Sequence, residues 1–148
     1  MLLPLLVGSG TFVLSMLLYG MAQALIVQVV VRPIRTGEGP AGFWKNVVVM
    51  MFVALVTAAA HLIQITLWAV VYWMVGEEKV ENFETAFYLS AENYTALGYG
   101  DIPLSPQWRL LGPLEAINGL LLFGRSTAVM FAVLSHLISH RLHLDKAR

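Results

Sequence analysis

The sequence contains no cysteine and little charge, and both shortages limit what the chain can be. Without a thiol there is no disulfide framework and no thiolate metal site. Charged residues make up 12% of the 148 positions, whereas a typical soluble domain has about a quarter. The nine basic and nine acidic residues balance, so the charge gives no reason to expect a nucleic-acid partner. A Gly-rich phosphate loop, a catalytic triad and a zinc motif are also lacking, which argues against an enzyme.

What the chain has in abundance is long apolar sequence. Hydrophobic residues make up 58% of it, so it has too little polar surface for water and lipid is the expected solvent. The runs over residues 1–31, 44–75 and 112–138 are each long enough to cross a hydrocarbon core of about 30 Å. The first run is too long for a signal peptide and no basic residue precedes it. We therefore predict three membrane helices, the first with a break at Gly8–Gly10.

The flanks of these runs carry further signals. Prolines and glycines predict that residues 32–40 form a non-helical connection. Gln23 and Gln28 are predicted to make inter-helix hydrogen bonds rather than to line an ion pathway. Four aromatic residues near the ends of the second run are predicted to lie at the membrane interface: Trp44, Trp68, Tyr72 and Trp73.

A shorter helix is predicted over residues 83–95. Its apolar positions recur at helical spacing, and Asn82 is placed to cap its first turn. The segment is too short and too polar to cross a membrane. A helix that enters the membrane and stops there must be buried in protein.

Directly after this helix comes the stretch Asn93–Asp101, which reads N-Y-T-A-L-G-Y-G-D. Gly98 and Gly100 accept left-handed backbone dihedrals at little cost, so the stretch is able to alternate handedness and turn its carbonyls to one side. Rings of such carbonyls replace the hydration shell of a cation. The stretch resembles the selectivity filter of potassium channels, T-x-G-Y-G-D, and its position between apolar spans makes the resemblance specific.

The resemblance to the prokaryotic-type potassium-channel pore family implies a complete architecture. The expected fold is an all-α membrane protein with three transmembrane helices, a pore helix and a re-entrant selectivity-filter loop. Residues 1–43 would form an extra N-terminal membrane helix and cytoplasmic loop. Residues 44–148 would form the pore domain: outer helix, pore helix, filter, inner helix and short basic tail. One loop supplies a quarter of a carbonyl cage, so a homotetramer is expected.

The implied function is passive, selective passage of potassium. Potassium ions and membrane lipids are the expected partners, with no organic cofactor, no nucleic acid and no small-molecule substrate other than ions. The family pattern assigns ion contacts to Thr95, Ala96, Leu97, Gly98, Tyr99 and Gly100, with potassium at Ala96, Leu97, Gly98 and Tyr99. Ala96 stands where the pattern has a threonine, so the innermost site should be weaker. The alternatives are a weakly selective cation channel and a non-conducting, channel-like structural or regulatory subunit.

Two acids are expected to support this filter. In several family members a pore-helix carboxyl pairs with the acid that follows G-Y-G. The matching residues are Glu92 and Asp101, and two such acids share a proton only if one pKa rises. The plainer interpretation is that Glu92 is a solvated acid, but burying an unpaired carboxylate is costly.

The third apolar run should line the cavity. One stripe at helical spacing is assigned to the cavity and its gate: Leu120, Phe123, Thr127 and Phe131. Gly119 and Gly124 resemble the hinge glycines of channel inner helices, and both also suit close helix packing.

Arg125 is the residue that fits this plan least well, because a charge inside a span is expensive. On a helical wheel it points away from the cavity stripe, toward the outer helices, where His61 and Gln64 are candidate hydrogen-bond partners. Three explanations remain: a hydrogen-bonded structural charge, which we favour, a gating element, or a substitution that impairs the pore.

Charges and histidines near the ends of the chain suggest its orientation. By the positive-inside rule the connection after the first run and the tail are cytoplasmic, the N-terminus is outside, and a bacterial inner membrane is the expected location. His136, His140 and His143 share one helix face. Solvated or interfacial histidines are favoured over a pH sensor or a metal site.

Overall fold

The structure, a computed structural model, describes residues 2–36, 42–76 and 78–146 and is helical throughout its regular elements. Its helices are α1 (Leu2–Ile26), a π-helical turn (Val27–Val31), α2 (Arg32–Arg35), α3 (Phe43–Val75), α4 (Phe83–Tyr94) and α5 (Leu111–Lys146). Within these ranges three helical segments are long and apolar enough to cross a membrane: Leu2–Ile34, Phe43–Val75 and Leu111–Ser139. The prediction of three spanning helices is confirmed.

The first span differs from the prediction at both ends. α1 runs without a break through Gly8 and Gly10. A Cβ at Gly8 would lie 2.6 Å from Leu114 Cδ1, so this glycine permits close packing rather than a break. The helix also continues beyond Val31 to Arg35, where a connection was predicted.

The π-helical turn explains how a helix passes through Pro33. In a regular α-helix the proline ring meets the carbonyl of the residue four positions earlier, and proline has no N–H for the helical bond. The wider turn at Val27–Val31 contains Val29, the residue four positions before Pro33, and a widened turn relieves that crowding.

The short helix α4 begins and ends close to its predicted bounds. The Asn82 side chain accepts a hydrogen bond from the Thr85 backbone N–H at 2.8 Å, which confirms the predicted cap. α5, in contrast, extends to Lys146, so part of the predicted tail is helical. The three tail histidines lie within this helix, but the side chains of His140 and His143 are outside the described set.

The chain divides into two compact units. The first combines the described part of Met1–Tyr19 with His61–Phe123. Its core contains Trp68, Tyr72, Leu89 and Leu111. Trp68 and Tyr72 are fully buried, so their side chains pack within protein, whereas Trp44 and Trp73 are exposed. That these four aromatic residues lie at the level of the membrane interface stays a prediction.

The second unit combines the described parts of Gly20–Ala60 and Gly124–Arg148. Its apolar core draws on the first, second and third spans: Ile26, Val30, Val31, Ile34, Val53, Val133 and Leu137. Ile34 is buried because the first helix continues past the π turn.

Candidate functional site

The glycine-containing stretch begins directly at the C-terminal end of α4. The Leu97 N–H donates to the Glu92 carbonyl at 2.9 Å, and the Ala96 N–H donates to the Asn93 carbonyl at 2.9 Å. Ala96 has a φ of 56°. These two bonds around a left-handed residue form a Schellman motif, in which glycine is the usual left-handed residue. The helix end therefore fixes where the stretch begins and in which direction it leaves.

The backbone alternates in handedness along the stretch. φ is positive at Ala96 (56°), Gly98 (59°) and Gly100 (74°), and it is not positive at Leu97 or Tyr99. Glycine adopts such values freely, while an L-residue such as Ala96 pays about 1–2 kcal/mol. A backbone that alternates in this way is able to present successive carbonyls on one side. The glycine spacing in the sequence is thus matched by the observed dihedral pattern.

The side chains of this stretch are uncovered in the single chain. Residues 95–101 are all exposed, with Leu97 at 56% and Tyr99 at 67%. The Thr95 hydroxyl donates to the Ala91 carbonyl at 2.7 Å and so remains tied to α4. No part of the described chain covers the large apolar side chains of this loop. An exposed apolar surface of this kind indicates that another molecule contacts it.

Glu92 and Asp101 lie on either side of this loop. Glu92 is 5% exposed, and its Oε1 accepts a hydrogen bond from the Gly100 N–H at 3.4 Å, while Oε2 has no partner within the described residues. Burial raises the pKa of Glu92 and neighbouring Asp101 adds to the rise, whereas the Gly100 N–H opposes it. This is the direction expected for a carboxyl that holds a proton beside a second acid.

Asp101 has a partner that the sequence analysis missed. The Tyr88 hydroxyl donates to Asp101 Oδ2 at 2.9 Å. This hydrogen bond is the largest cause that lowers the pKa of Asp101, and it raises the pKa of Tyr88. Tyr88 and Glu92 lie one helical turn apart on α4 and so share a helix face. This i, i+4 spacing before the G-Y-G-D motif is the sequence signal from which a Tyr88–Asp101 contact could have been predicted.

A cavity of about 260 Å³ adjoins the same loop. Its lining includes Glu92, Asn93, Gly98, Gly100 and Arg109. A cavity of this volume with polar groups in its lining can hold ordered water. Such a water would hydrogen-bond to Glu92 Oε2, which has no partner within the described residues.

Tyr94, the last residue of α4, is anchored from three helices. Its hydroxyl shares a 2.7 Å hydrogen bond with His61 Nδ1, and His61 Nε2 lies 3.3 Å from the Tyr19 hydroxyl. The Phe123 ring stacks on His61 with ring centroids 4.5 Å apart. The structure thus gives His61 the role of holding the helix end that precedes the stretch. It also turns Phe123, assigned to the cavity stripe, toward this cluster.

Gly119 permits the closest approach between α5 and α4. A Cβ built on Gly119 would lie 1.9 Å from the Tyr94 carbonyl oxygen. A Cβ on Gly124 would meet nothing within 4 Å. Close packing is therefore the observed role of Gly119, while Gly124 stays open to the hinge interpretation.

A buried polar network in the first unit was also missed. Asn118 Nδ2 donates to Ser15 Oγ at 2.6 Å, and Ser15 donates to Gln64 Oε1 at 2.6 Å. All three residues are at most 1% exposed. Gln64 Oε1 is thus engaged by Ser15 of α1, and its predicted bond to Arg125 stays a prediction. A polar residue within each apolar run was the available signal.

A second buried group surrounds Glu115, which is fully buried in α5. The Tyr72 hydroxyl lies 2.6 Å from Glu115 Oε2, and the Ser90 hydroxyl lies 2.5 Å from Glu115 Oε1. Helices α3, α4 and α5 thus meet at one carboxyl. The available sequence signal was an acid inside a predominantly apolar run.

Arg125 bonds the first span. Its Nη2 donates to Gln23 Oε1 at 2.5 Å. Inter-helix bonding by Gln23 is confirmed, and the arginine is oriented toward α1. A hydrogen-bonded structural charge is the explanation that this contact favours.

The rest of the assigned cavity stripe is exposed in the single chain. Leu120 is 58% exposed and Phe131 is 70% exposed, and Thr127 is exposed as well. His136 is half-buried. The described residues contain no group of three His, Cys, Asp or Glu able to hold a metal ion.

Comparison with known proteins identifies the family. A family model described as "Ion channel" matches residues 59–136, which is just over half of the chain. Neither the proteins of curated function nor the solved structures give a match. The matched region contains the C-terminal half of α3, all of α4, the glycine-containing stretch and most of α5. With three apolar helices and this match, the chain belongs to the ion channel family and is an integral membrane protein rather than an enzyme.

Proposed function

We propose that the chain is one subunit of a homotetrameric, potassium-selective channel whose filter is the stretch from Thr95 to Gly100. The observation that carries the proposal is the alternation of φ at Ala96, Gly98 and Gly100. Repeated around a four-fold axis, carbonyls presented in this way form the cage that replaces water around a dehydrated cation. Potassium is the substrate, and the contacts lie at Ala96, Leu97, Gly98 and Tyr99.

The proposal gives each neighbouring element a role. α4 is the pore helix, and the negative end of its dipole favours a cation at its C-terminus. α3 and α5 are the outer and inner helices. Exposure of Leu97 and Tyr99 supports assembly, because a filter shared by four chains must be uncovered in one. In this proposal the membrane is a bacterial inner membrane, and the positive-inside rule favours a C-terminus on its cytoplasmic side.

Potassium flux into vesicles that contain the purified protein tests the proposal. Gly98→Ala introduces an L-residue at a φ of 59°, where nothing lies within 4 Å of the new Cβ. Gly76→Ala is the matched control, since Gly76 has a φ of 69° and equally open surroundings but lies at the end of α3. We expect flux to be lost in Gly98→Ala and kept in Gly76→Ala. Equal flux in the two variants would contradict a filter at Gly98.

A weakly selective cation channel is the second candidate, and Ala96 is the observation that favours it. The family pattern has a threonine hydroxyl at this position, and alanine supplies none. Sodium and potassium fluxes measured side by side separate the two candidates. Ala96→Thr should increase the preference for potassium if the missing hydroxyl weakens the innermost site.

The Arg125–Gln23 hydrogen bond bears on the third alternative, a non-conducting subunit. An arginine held toward α1 by Gln23 does not need to enter the conduction pathway. Flux through the wild type and through Arg125→Leu decides this point. Flux in the variant alone would favour an impaired pore, and flux in the wild type excludes it.

A further inference from the structure

Glu115 is a buried acid that bonds no cationic side chain among the described residues. Its side chain is fully buried in α5, and its hydrogen-bond partners among the described residues are two hydroxyl groups, those of Tyr72 and Ser90. The Ser90 hydroxyl also lies 2.8 Å from the Ile65 carbonyl oxygen. Asn93 Nδ2 donates to the Tyr72 hydroxyl at 3.2 Å. The cluster therefore joins α3, α4 and α5.

The number of hydrogens in this cluster determines the protonation state of the acid. Three oxygen pairs are at hydrogen-bond distance: Ser90–Ile65, Ser90–Glu115 and Tyr72–Glu115. Each pair needs one hydrogen between its oxygens. The Ser90 and Tyr72 hydroxyls carry one hydrogen each, and the Ile65 carbonyl carries none. The third hydrogen must then come from Glu115.

With a proton on Oε1 every contact is satisfied. Glu115 donates to Ser90, Ser90 donates to the Ile65 carbonyl, and Tyr72 donates to Glu115 Oε2 while accepting from Asn93. An ionised Glu115 has no hydrogen to donate. The single Ser90 hydrogen would then bond either the Ile65 carbonyl or the carboxylate, and in the other contact two oxygens would face each other with lone pairs alone. It would also place a charge in an apolar span where no cation in the described part of the chain compensates it, which is expensive.

We propose that Glu115 is a neutral carboxylic acid that positions α4 between α3 and α5, and thereby fixes the loop that follows α4. Ser90 and Asn93, the two α4 residues of the cluster, lie within two turns of Ala96. The carbonyl of Asn93 also accepts the Ala96 N–H that forms part of the helix end. Displacement of this cluster is therefore transmitted to the first residues of the stretch. The expected effect on ion passage rests on the proposed channel function, whereas the protonation state does not.

Infrared spectroscopy tests the protonation state directly. A protonated carboxyl has a carbonyl stretch that is separate from the carboxylate bands. We expect a difference spectrum of wild type minus Glu115→Gln at neutral pH to contain this band. The same comparison in a Glu92→Gln background removes the other buried acid from the measurement. A difference spectrum that contains carboxylate bands instead would overturn the proposal, whatever the protein conducts.

Substitutions test the positioning role. Glu115→Gln keeps an N–H donor toward Ser90 and a carbonyl acceptor toward Tyr72, so we expect it to retain the flux and the preference for potassium over sodium. Glu115→Ala leaves the two hydroxyls without their partner, and we expect the preference for potassium to fall by roughly tenfold or more, because unsatisfied buried groups must reorganise. The ion preference is the decisive readout, since a change in the amount of folded protein would alter both fluxes equally.

These outcomes separate the two proposals. A Glu115 carboxyl band in a protein that conducts no ions would overturn the channel proposal and leave the neutral acid in place. Loss of the ion preference in Glu115→Gln as severe as in Glu115→Ala would show that the negative charge is needed, and the neutral-acid proposal would be wrong.

Discussion

At the scale of single residues, the end of α4 is held by contacts that leave little freedom. Ala96 takes the left-handed position of the Schellman motif, and Tyr94 is enclosed by Tyr19, His61 and Phe123. The Gly119 backbone closes the remaining side. The stretch that follows therefore starts from a fixed point, although its own side chains are exposed in the single chain.

Gly119→Ala should displace the C-terminal end of α4. The new methyl group would lie 1.9 Å from the Tyr94 carbonyl oxygen, so backbone must move, at a cost of about 1–3 kcal/mol or more. We expect a lower thermal unfolding midpoint and reduced flux. Gly124→Ala is the control for the unfolding midpoint, because a Cβ there meets nothing within 4 Å. A hinge role for Gly119 without a packing role would lower flux and leave the unfolding midpoint unchanged.

Tyr88→Phe should raise the pKa of Asp101 toward its ordinary value, because the hydroxyl that favours the ionised form is removed. In the wild type the folded-state pKa is lowered. The Tyr88–Asp101 bond therefore contributes stability above the ordinary pKa and loses it as the pH falls through the lowered value. Nuclear magnetic resonance of protein labelled at aspartate measures this, since Asp101 and Asp145 are the only aspartates in the chain. The Asp145 signal is the internal control, and unchanged titration of Asp101 would contradict the role of Tyr88.

At the scale of elements, the first span is part of the scaffold around α4 rather than an appendage. Ser15 of α1 is fully buried and joins Gln64 of α3 to Asn118 of α5. Tyr19, one turn further, reaches His61. Removing α1 would therefore uncover polar groups that belong to both other spans.

Ser15→Ala should destabilise the protein by roughly 1–3 kcal/mol, because Gln64 and Asn118 each lose a buried hydrogen bond. Ser9→Ala is the matched control on the same helix, since the Ser9 hydroxyl is exposed and bonds the Leu6 carbonyl of its own helix. Unfolding in detergent, followed by helical circular dichroism, gives both values. Equal midpoints for the two variants would show that the Ser15 network contributes nothing measurable.

The helices also show which structural features could be predicted from the sequence and which could not. Run length predicted the spans, and Asn82 with the helical spacing predicted α4, because these signals are local. The partners of Gln64 and Arg125 could not be predicted, since they depend on how each helix is rotated relative to its neighbours. Glu115 was visible as an acid in an apolar run, but only the packed helices bring Tyr72 and Ser90 to it. The π turn before Pro33 has no reliable pattern of its own.

At the scale of the whole molecule, the single chain exposes more apolar surface than water permits. Large side chains such as Trp44 and Met74, both 77% exposed, lie on the spanning helices. Lipid covers part of this surface in an integral membrane protein, and in the proposed tetramer neighbouring chains cover another part. The exposed cavity stripe of α5 would then face an aqueous path rather than lipid.

Cysteine accessibility tests this arrangement, and the natural absence of cysteine makes the wild type its own blank. We expect Thr127→Cys and Phe131→Cys to react with a charged, water-soluble thiol reagent in vesicles, and the reaction to reduce flux. Val133→Cys is the buried control, because Val133 is fully buried. Unreactive thiols at both Thr127 and Phe131 would place the stripe against lipid or protein and contradict the cavity assignment.

The π turn at Val27–Val31 has a geometric consequence for the C-terminal end of the first span. Such a turn accommodates one surplus residue, and each residue of an α-helix advances the angular phase by about 100°. If the turn became a regular α-helix with all its residues kept, Ile34 would rotate out of its buried position by about that angle, carrying Arg32 with it, whereas deleting one residue at the turn would restore a regular helix and keep Ile34 buried. A local irregularity thus sets the azimuth at which a basic side chain leaves the first span.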